Sequence, residues 1–297
     1  MNRMRALPES PGQRLRDAVA HEQPLQVVGT INAYAALLAR DAGFGAIYLS
    51  GSGVASASFG LPDLGYTTLE QVAEDARRIT GAVELPLLVD ADTGWDDPGR
   101  AVTTLASAGA AGLHLEDQVE AKRCGHRPGK QLVDTDEMVG RLTAALAGRA
   151  DPGFVVMART DAYSVEGLDG AIRRARAYER AGADMIFAEA MSSLDDYARF
   201  TTAVGVPVLA NITEFGKTPL FSTAELHGAG VGLALYPLSA FRAMSAAALN
   251  VYRTLREHGT QASVLDTMQT RDELYHVLDY HRHERAADET ISPGDPS

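Results

Sequence analysis

Ala108-Gly109-Ala110-Ala111-Gly112-Leu113-His114-Leu115-Glu116-Asp117 compresses one structural unit into a short phrase. A helix ends on small residues, a glycine turns the chain, an apolar run follows, and the run stops at two acids. Gly109 reads as the helix stop, because glycine alone enters the left-handed region without a steric penalty. An apolar run with no polar alternation reads as a strand buried on both faces, as in a parallel sheet. The same turn recurs as Ala42-Gly43-Phe44-Gly45-Ala46 and as Ala181-Gly182-Ala183-Asp184.

Outward from this phrase, similar runs occur at Leu25–Gly29, Ala46–Leu49, Leu87–Asp90, Gly112–Leu115, Phe154–Ala158, Met185–Phe187, Val208–Ala210 and Gly232–Leu235. Helical stretches lie between them: Ala33–Ala42, Thr68–Thr80, Pro98–Ala108, Thr135–Ala147 and Leu168–Ala181, each followed by a glycine, and Leu194–Ala203, which ends just before Gly205. Ser239–His258 forms a further helix with Phe241, Met244, Ala248, Val251 and Leu255 on one face. Strands alternating with helices in this way predict an α/β fold of the (β/α)₈ TIM-barrel type. A doubly wound sheet would place a glycine-rich phosphate loop after its first strand, where this chain has Thr30-Ile31-Asn32. The expected organisation is a flexible N-terminus (1–12), a single barrel domain with a C-terminal helical extension (13–283) and a disordered polar tail (284–297).

A barrel does its chemistry at the C-terminal ends of its strands. There this chain gathers Tyr48 and Ser50-Gly51-Ser52, Asp90 and Asp92, His114 with Glu116-Asp117, Arg159 and Asp161, Glu189, and Asn211 with Thr213 and Glu214. Crowded carboxylates need a counter-charge. Asp90 and Asp92, two apart at a strand end with Glu116 on the next strand, point to a hard divalent cation, Mg²⁺ or Mn²⁺, rather than Zn²⁺. The net charge of −12 disfavours nucleic acid and anionic membranes as partners. An anionic small substrate then needs a metal or a local cluster of cations. No apolar run reaches membrane length and no secretory h-region opens the chain, so a cytoplasmic location is expected.

The single cysteine, Cys124, excludes an internal disulfide. It sits in Lys122-Arg123-Cys124-Gly125-His126-Arg127-Pro128-Gly129-Lys130, a basic loop in an acidic chain. Neighbouring cations favour the thiolate, so the thiol is a candidate acid, base or nucleophile rather than an inert core residue.

The phrases Val-Gly-Thr-Ile-Asn-Ala (28–33), Gly-Leu-Pro-Asp-Leu-Gly (60–65), Leu-Leu-Val-Asp-Ala-Asp (87–92), Leu-His-Leu-Glu-Asp-Gln (113–118), Lys-Arg-Cys-Gly-His-Arg-Pro (122–128) and Met-Ala-Arg-Thr-Asp-Ala (157–162) resemble the isocitrate lyase/phosphoenolpyruvate mutase superfamily. Ala-Leu-Tyr-Pro-Leu-Ser-Ala-Phe-Arg (234–242) and Asp-Thr-Met-Gln-Thr-Arg-Asp-Glu-Leu-Tyr (266–275) resemble its 2-methylisocitrate lyase branch. The resemblance covers about Gln13 to Tyr280. It implies Mg²⁺-dependent retro-Claisen cleavage of (2S,3R)-2-methylisocitrate to pyruvate and succinate in the methylcitrate cycle of propionate catabolism. It also implies a homotetramer in which the last barrel helix is swapped between subunits.

By the same resemblance Asp90 and Asp92 are metal residues, while Asp63 and Glu116 are outer groups that hold metal waters. Ser50, Gly51, Ser52, Lys122, Arg123, Gly125, His126, Arg159, Glu189, Asn211, Thr213, Arg242 and Arg271 are substrate contacts. Cys124 matches the catalytic acid; apart from the resemblance, Tyr48 is the candidate hydroxyl base, with Arg159 lowering its pKa as a further catalytic group and a barrel-packing tyrosine as the alternative, and His126 is expected to tune Cys124 or orient its loop. Ser52 stands where the family usually has glycine, Ala188 where it commonly has proline, and the loop after Asp92 is shorter than usual. These departures bear on specificity more than on reaction type. Isocitrate, 2,3-dimethylmalate and oxaloacetate are the alternative substrates, and phosphonomutase chemistry or a non-catalytic binding barrel the more distant readings.

Cys124→Ser is expected to fold normally and to keep Mg²⁺ and product binding while losing most turnover. Circular dichroism, metal titration and a lyase assay check this, and full activity in the variant would remove Cys124 from the chemistry.

Overall fold

The computed structural model describes residues 9–119 and 129–291. The chain divides into two compact units, Met1–Phe241 and Arg242–Ser297. The elements run α1 (Pro11–His21), β1 (Leu25–Gly29), α2 (Ala33–Asp41), β2 (Ala46–Leu49), α3 (Gly51–Gly53, passing into a π-helical stretch Val54–Ser58), α4 (Leu69–Thr80), β3 (Leu87–Asp90) and α5 (Pro98–Ser107). They continue with β4 (Gly112–Glu116), α6 (Thr135–Ala147), β5 (Val155–Thr160), α7 (Tyr163–Arg180), β6 (Met185–Ala188), α8 (Leu194–Ala203), β7 (Val208–Asn211), α9 (Thr223–Gly228) and β8 (Leu233–Tyr236). Last come α10 (Ser239–His258), the 3₁₀ turn Ala262–Thr267, α11 (Arg271–Val277) and α12 (Tyr280–Ile291).

The expected (β/α)₈ barrel is what forms. β1 to β8 pair in sequence order, all parallel, and β8 closes onto β1. Successive strand residues face opposite sides, which divides the core into two layers. Leu25, Val27, Tyr48, Leu88, Met157, Phe187, Leu209 and Leu235 pack together in one buried cluster. The residues between them in the strands, such as Ile47, Val89, Leu113, Val156, Ile186 and Val208, pack with apolar residues of the helices. Several helices start on a side chain that accepts from an orphan backbone N–H: Asn32, Thr68 (with Gln71 in a capping box), Asp97, Asp134 and Ser193.

Three sequence expectations need correction. Pro11 and Gly12 are not part of a flexible terminus, because α1 begins there behind its Ser10 cap. Leu15 and Val19 of α1 enter the interior cluster, and Arg16 donates to the Gly153 carbonyl (2.9 Å) and pairs with Asp184 (2.8 Å). The polar tail is helical as far as Ile291, so it is not disordered from 284. The third concerns the glycines that follow helices. Gly43, Gly109 and Gly182 have positive φ (87°, 88° and 103°), as helix stops require. Gly81 and Gly148 stay in the right-handed region. Gly148 is needed for space instead, since a Cβ there would lie 2.3 Å from the Gly99 carbonyl oxygen.

The helix read as Leu168–Ala181 starts earlier, at Tyr163, but breaks at Gly167 (φ 72°). In α10 no residue is buried, and Met244, Leu249, Tyr252 and Leu255 are all exposed. Among the described residues no helix is long and apolar enough to cross a membrane.

Barrel closure makes a specific demand at Gly29, where a Cβ would sit 1.7 Å from the backbone oxygen of Pro237. Gly29→Ala is expected to cost about 3 kcal/mol or more, because neither backbone can retreat from the overpacked contact. Gly43→Ala meets no atom within 4 Å and strains only its φ of 87°, at a cost of about 1–2 kcal/mol. Urea unfolding of the two variants checks the order.

Candidate active site at the C-terminal rim of the barrel

Parallel register brings the polar residues at the strand ends together. Asp90 pairs in register with His114, and Glu116 with Arg159. Two linked groups result.

The first is built on Asp90. The peptide N–H of Gly51 donates to its Oδ2 (3.1 Å) and that of Asp92 to its Oδ1 (3.3 Å). His114, wholly buried, places Nε2 2.8 Å from the Tyr48 hydroxyl and 3.7 Å from Asp90 Oδ1. The imidazole lies parallel to the Tyr48 ring (5.8 Å between centroids) and meets the Phe187 ring edge-on (5.1 Å). Gly51 has a spatial role: a Cβ would lie 3.2 Å from Asp90 Oδ2 and 3.5 Å from Asp92 Oδ1. A side chain there would crowd Asp90 and meet Asp92, so glycine lets the loop after β2 lie close to both carboxylates without pushing on them.

The second group is centred on Arg159. Its Nε donates to Asp161 Oδ2 (2.9 Å) and faces Glu116 Oε2 (3.3 Å). Its Nη2 donates to Asp161 Oδ1 (3.3 Å) and faces Glu189 Oε2 (3.4 Å), and the guanidinium carbon lies 5.1 Å from the centre of the Phe187 ring. Asn211 donates from Nδ2 to the same Glu189 oxygen (3.3 Å). Burial works against the guanidinium charge, but Asp161, Glu116 and Glu189 outweigh it and hold Arg159 well above the usual arginine range.

Ser50, Asn211 and Thr213 are buried at the same rim, and Ser52 is half-buried in α3. Asp63 lies half-buried in the segment between α3 and α4, among the exposed side chains of Leu61, Leu64 and Tyr66. Arg242 and Arg271 are exposed residues of the second unit, on α10 and at the start of α11. Lys122, Arg123, Cys124, Gly125 and His126 lie outside the described residues.

The residues that flank this last stretch are fixed. Gln118 bridges antiparallel to Leu132, Val119 N–H donates to the Gln131 carbonyl (3.0 Å) and Val133 N–H to the Asp117 carbonyl (3.0 Å). Arg141 ties the same ribbon down by donating to the carbonyls of Glu116 (3.1 Å) and Gln118 (2.8 Å).

The structure corrects the expectation for Tyr48. Burial, and then the Asp90 charge, push its phenol well above the ordinary tyrosine value; the opposing effect of Arg159 is smaller. Lys130 is not one more solvated cation of the Cys124 loop. It is buried and pairs with Asp161 (Nζ–Oδ1 2.7 Å), a role that no local sequence signal marked. Asp117 was read only as one acid among the rim groups. It accepts from Thr160 (2.8 Å), Tyr178 (2.9 Å) and the Asp161 N–H (2.9 Å), and burial followed by the Asp161 charge raises its pKa. Non-glycine residues with positive φ cluster just beyond the strand ends, at Asp92 (50°), Trp95 (53°), Ala190 (58°) and Phe215 (61°). Strain of this kind, held by the surrounding fold, gathers where backbone is placed for function.

Among the described residues no group of three or more His, Cys, Asp or Glu forms a closed metal cage. Asp90, held by two peptide N–H groups, and Asp92 beside it, in a cradle that a Cβ at Gly51 would crowd, fit Mg²⁺. That ion characteristically takes one or two protein carboxylates and completes its shell with water and substrate.

A closed (β/α)₈ barrel with buried carboxylates and the Arg159 guanidinium at its C-terminal rim has the build of an enzyme of the TIM-barrel class. The chain belongs to the phosphoenolpyruvate phosphomutase family, whose model matches residues 15–256. It is 60% identical to 2-methylisocitrate lyase of Escherichia coli strain K12 over 283 residues, covering 94% of this chain and 96% of that protein. Among solved structures it resembles 2,3-dimethylmalate lyase, with 32% identity, a TM-score of 0.87 and 96% of each chain covered. It also resembles phosphonopyruvate hydrolase complexed with oxalate and Mg⁺⁺, with 29% identity, a TM-score of 0.83, and 96% of this chain and 100% of that one covered.

Arg159→Met is expected to destabilise the fold by about 3–5 kcal/mol at neutral pH, because it strips the compensating charge from buried Glu116 and Glu189. Without the guanidinium those carboxyls take protons more readily than in the unfolded chain. The folded pKa is then raised, so part of the lost stability returns as pH falls from 7.5 towards 5. Urea midpoints for the variant and the parent across that window check the sign.

Proposed function

We propose that this chain is a carbon–carbon lyase that cleaves 2-methylisocitrate to pyruvate and succinate. The observation that carries the reading is the Asp90–Asp92 pair cradled by Gly51, one strand from the Arg159 cluster. It combines a seat for a hard cation with a buried guanidinium for an anionic substrate. The family relationship, with 60% identity to a 2-methylisocitrate lyase along nearly the whole chain, supports the same substrate.

Asp90 and Asp92 would hold Mg²⁺, or Mn²⁺, with Asp63 and Glu116 as outer partners. When bound, that ion supplies positive charge that favours ionisation of the substrate hydroxyl. Arg159, kept charged by its three carboxylates, binds a substrate carboxylate, helped by Ser50, Gly51, Ser52, Asn211 and Thr213 around the rim. Glu189 orients both Arg159 and Asn211. Lys122, Arg123, Gly125, His126, Arg242 and Arg271 complete the proposed substrate contacts.

A tyrosine whose pKa is raised is a poor free-standing base. Tyr48 instead relays: it accepts the hydroxyl proton while passing its own to His114 Nε2, 2.8 Å away. The carbon–carbon bond then breaks, the alkoxide carbon becomes the pyruvate carbonyl, and the electron pair moves to the carbon that becomes part of succinate. Cys124 donates the proton to that carbon. The uncovered apolar face of α10 is in keeping with assembly into a homotetramer, and the overall reading is of a cytoplasmic enzyme.

Purified protein assayed with 2-methylisocitrate, isocitrate, 2,3-dimethylmalate and oxaloacetate tests the reading. The expected result is turnover dominated by 2-methylisocitrate that is lost on chelation and restored by Mg²⁺. Preference for another of the four would reassign the substrate, and no cleavage of any would refute the lyase.

A further inference from the structure

The Lys130–Asp161 pair has no part in the chemistry above, yet it is among the most deeply buried ion pairs described, with side-chain exposures of 1% and 0%. Burying two charges is costly, and well-packed apolar residues often serve stability as well or better. The pair calls for a reason other than stability, and its contacts supply one. Asp161 spends both carboxylate oxygens on Arg159, Oδ2 on Nε (2.9 Å) and Oδ1 on Nη2 (3.3 Å), in the fork geometry that fixes the plane of a guanidinium. Lys130 Nζ caps the same Oδ1 at 2.7 Å. The Asp161 backbone N–H is in turn anchored on Asp117 Oδ1 (2.9 Å).

Among the described residues, all the polar contacts of Arg159 fall on Nε and Nη2. Its Nη1 edge is thereby left for a ligand. The named charges are two cations, Arg159 and Lys130, against three carboxylates, Asp161, Glu116 and Glu189. Without Lys130 the same group holds one cation against three, a poorer field for an anion.

We propose that Lys130 and Asp161 are positioning residues for substrate binding: Asp161 clamps the Nε/Nη2 edge of Arg159, and Lys130 holds Asp161 in place while offsetting its charge, so that Nη1 presents to a substrate carboxylate. The proposal rests on the lyase reading for its assay, but the placement of Arg159 can be measured without it.

The test compares Lys130→Met, Lys130→Arg and the double variant Lys130→Met/Asp161→Asn with the parent enzyme loaded with Mg²⁺. Lys130→Met is expected to raise KM for 2-methylisocitrate by about tenfold with kcat changed less than about threefold, the signature of weakened substrate binding rather than lost chemistry. Lys130→Arg, which keeps the charge on Asp161, is expected to restore most of that KM. The double variant removes the orphaned charge along with the lysine, so it should fold even if Lys130→Met does not, and should keep the raised KM. Guanidinium ¹⁵Nε resonances of Arg159, assigned by their loss in Arg159→Lys, should shift in Lys130→Met and in the double variant. A lowered melting temperature with unchanged KM and unmoved Arg159 resonances would reduce the pair to a structural role and overturn the proposal. If the parent cleaves none of the candidate substrates, the lyase reading fails alone, and the resonances still decide whether Lys130 and Asp161 place Arg159.

Discussion

Arg159 is the charge on which the rim depends. Asp161, Glu116 and Glu189 meet around it at 2.9–3.4 Å, nearly excluded from water, and no arrangement of carboxylates this dense is stable without a cation at its centre. The guanidinium reaches them because the barrel register sets Glu116 beside Arg159 on neighbouring strands, with Phe187 next in line on β6. A second centre of negative charge, Asp90 with Asp92, lies at the end of β3 and just beyond it, and is joined to the first through His114, Tyr48 and the ring of Phe187. The site therefore has two acidic clusters, one whose counter-charge is built into the chain as Arg159, and one for which a divalent cation is the proposed counter-charge. Such a division suits a substrate that carries several carboxylates and must lose a proton from a neutral hydroxyl.

The fold serves this arrangement at some local cost. Asp92, Trp95, Ala190 and Phe215 hold positive φ just past their strands, and a side chain at Gly51 would crowd Asp90. Behind the rim, Asp117 gathers Thr160, Tyr178 and Arg174, and Arg174 is itself held by Glu166 at 2.6 Å. This buried network ties the end of β4 to α7 and gives Asp161 a fixed backbone position. The chemistry at the surface of the rim stands on polar contacts one layer below it.

The barrel was legible because its signals are local. Unalternating apolar runs, Asn32, Thr68 and Asp97 at helix starts and Gly43, Gly109 and Gly182 at helix ends place most elements to within a residue or two. Asp90, Glu116, Arg159 and Glu189 were legible as rim residues because strand ends are where a barrel works and because their phrases resemble a known family. Lys130 was not, since a buried lysine and a solvated one look alike in a row of cations, and only the fold shows Asp161 waiting for it. The direction of the Tyr48 pKa was misread for a related reason: the sequence shows that Arg159 exists but not that burial and Asp90 act on the phenol more strongly. α1 escaped notice because its few apolar residues, Leu15 and Val19, count only once the barrel exists for them to enter.

On the proposed reading Asp90 and Asp92 form the cation seat beside a substrate site ordered by Arg159. Titration of the purified protein with Mn²⁺, followed by electron paramagnetic resonance, tests it most directly. One tightly held Mn²⁺ per chain, displaced by Mg²⁺, is expected, and it should be lost in Asp90→Asn/Asp92→Asn while the circular dichroism spectrum is unchanged. Mn²⁺ binding that survives in the double variant with the same stoichiometry and affinity would contradict that reading.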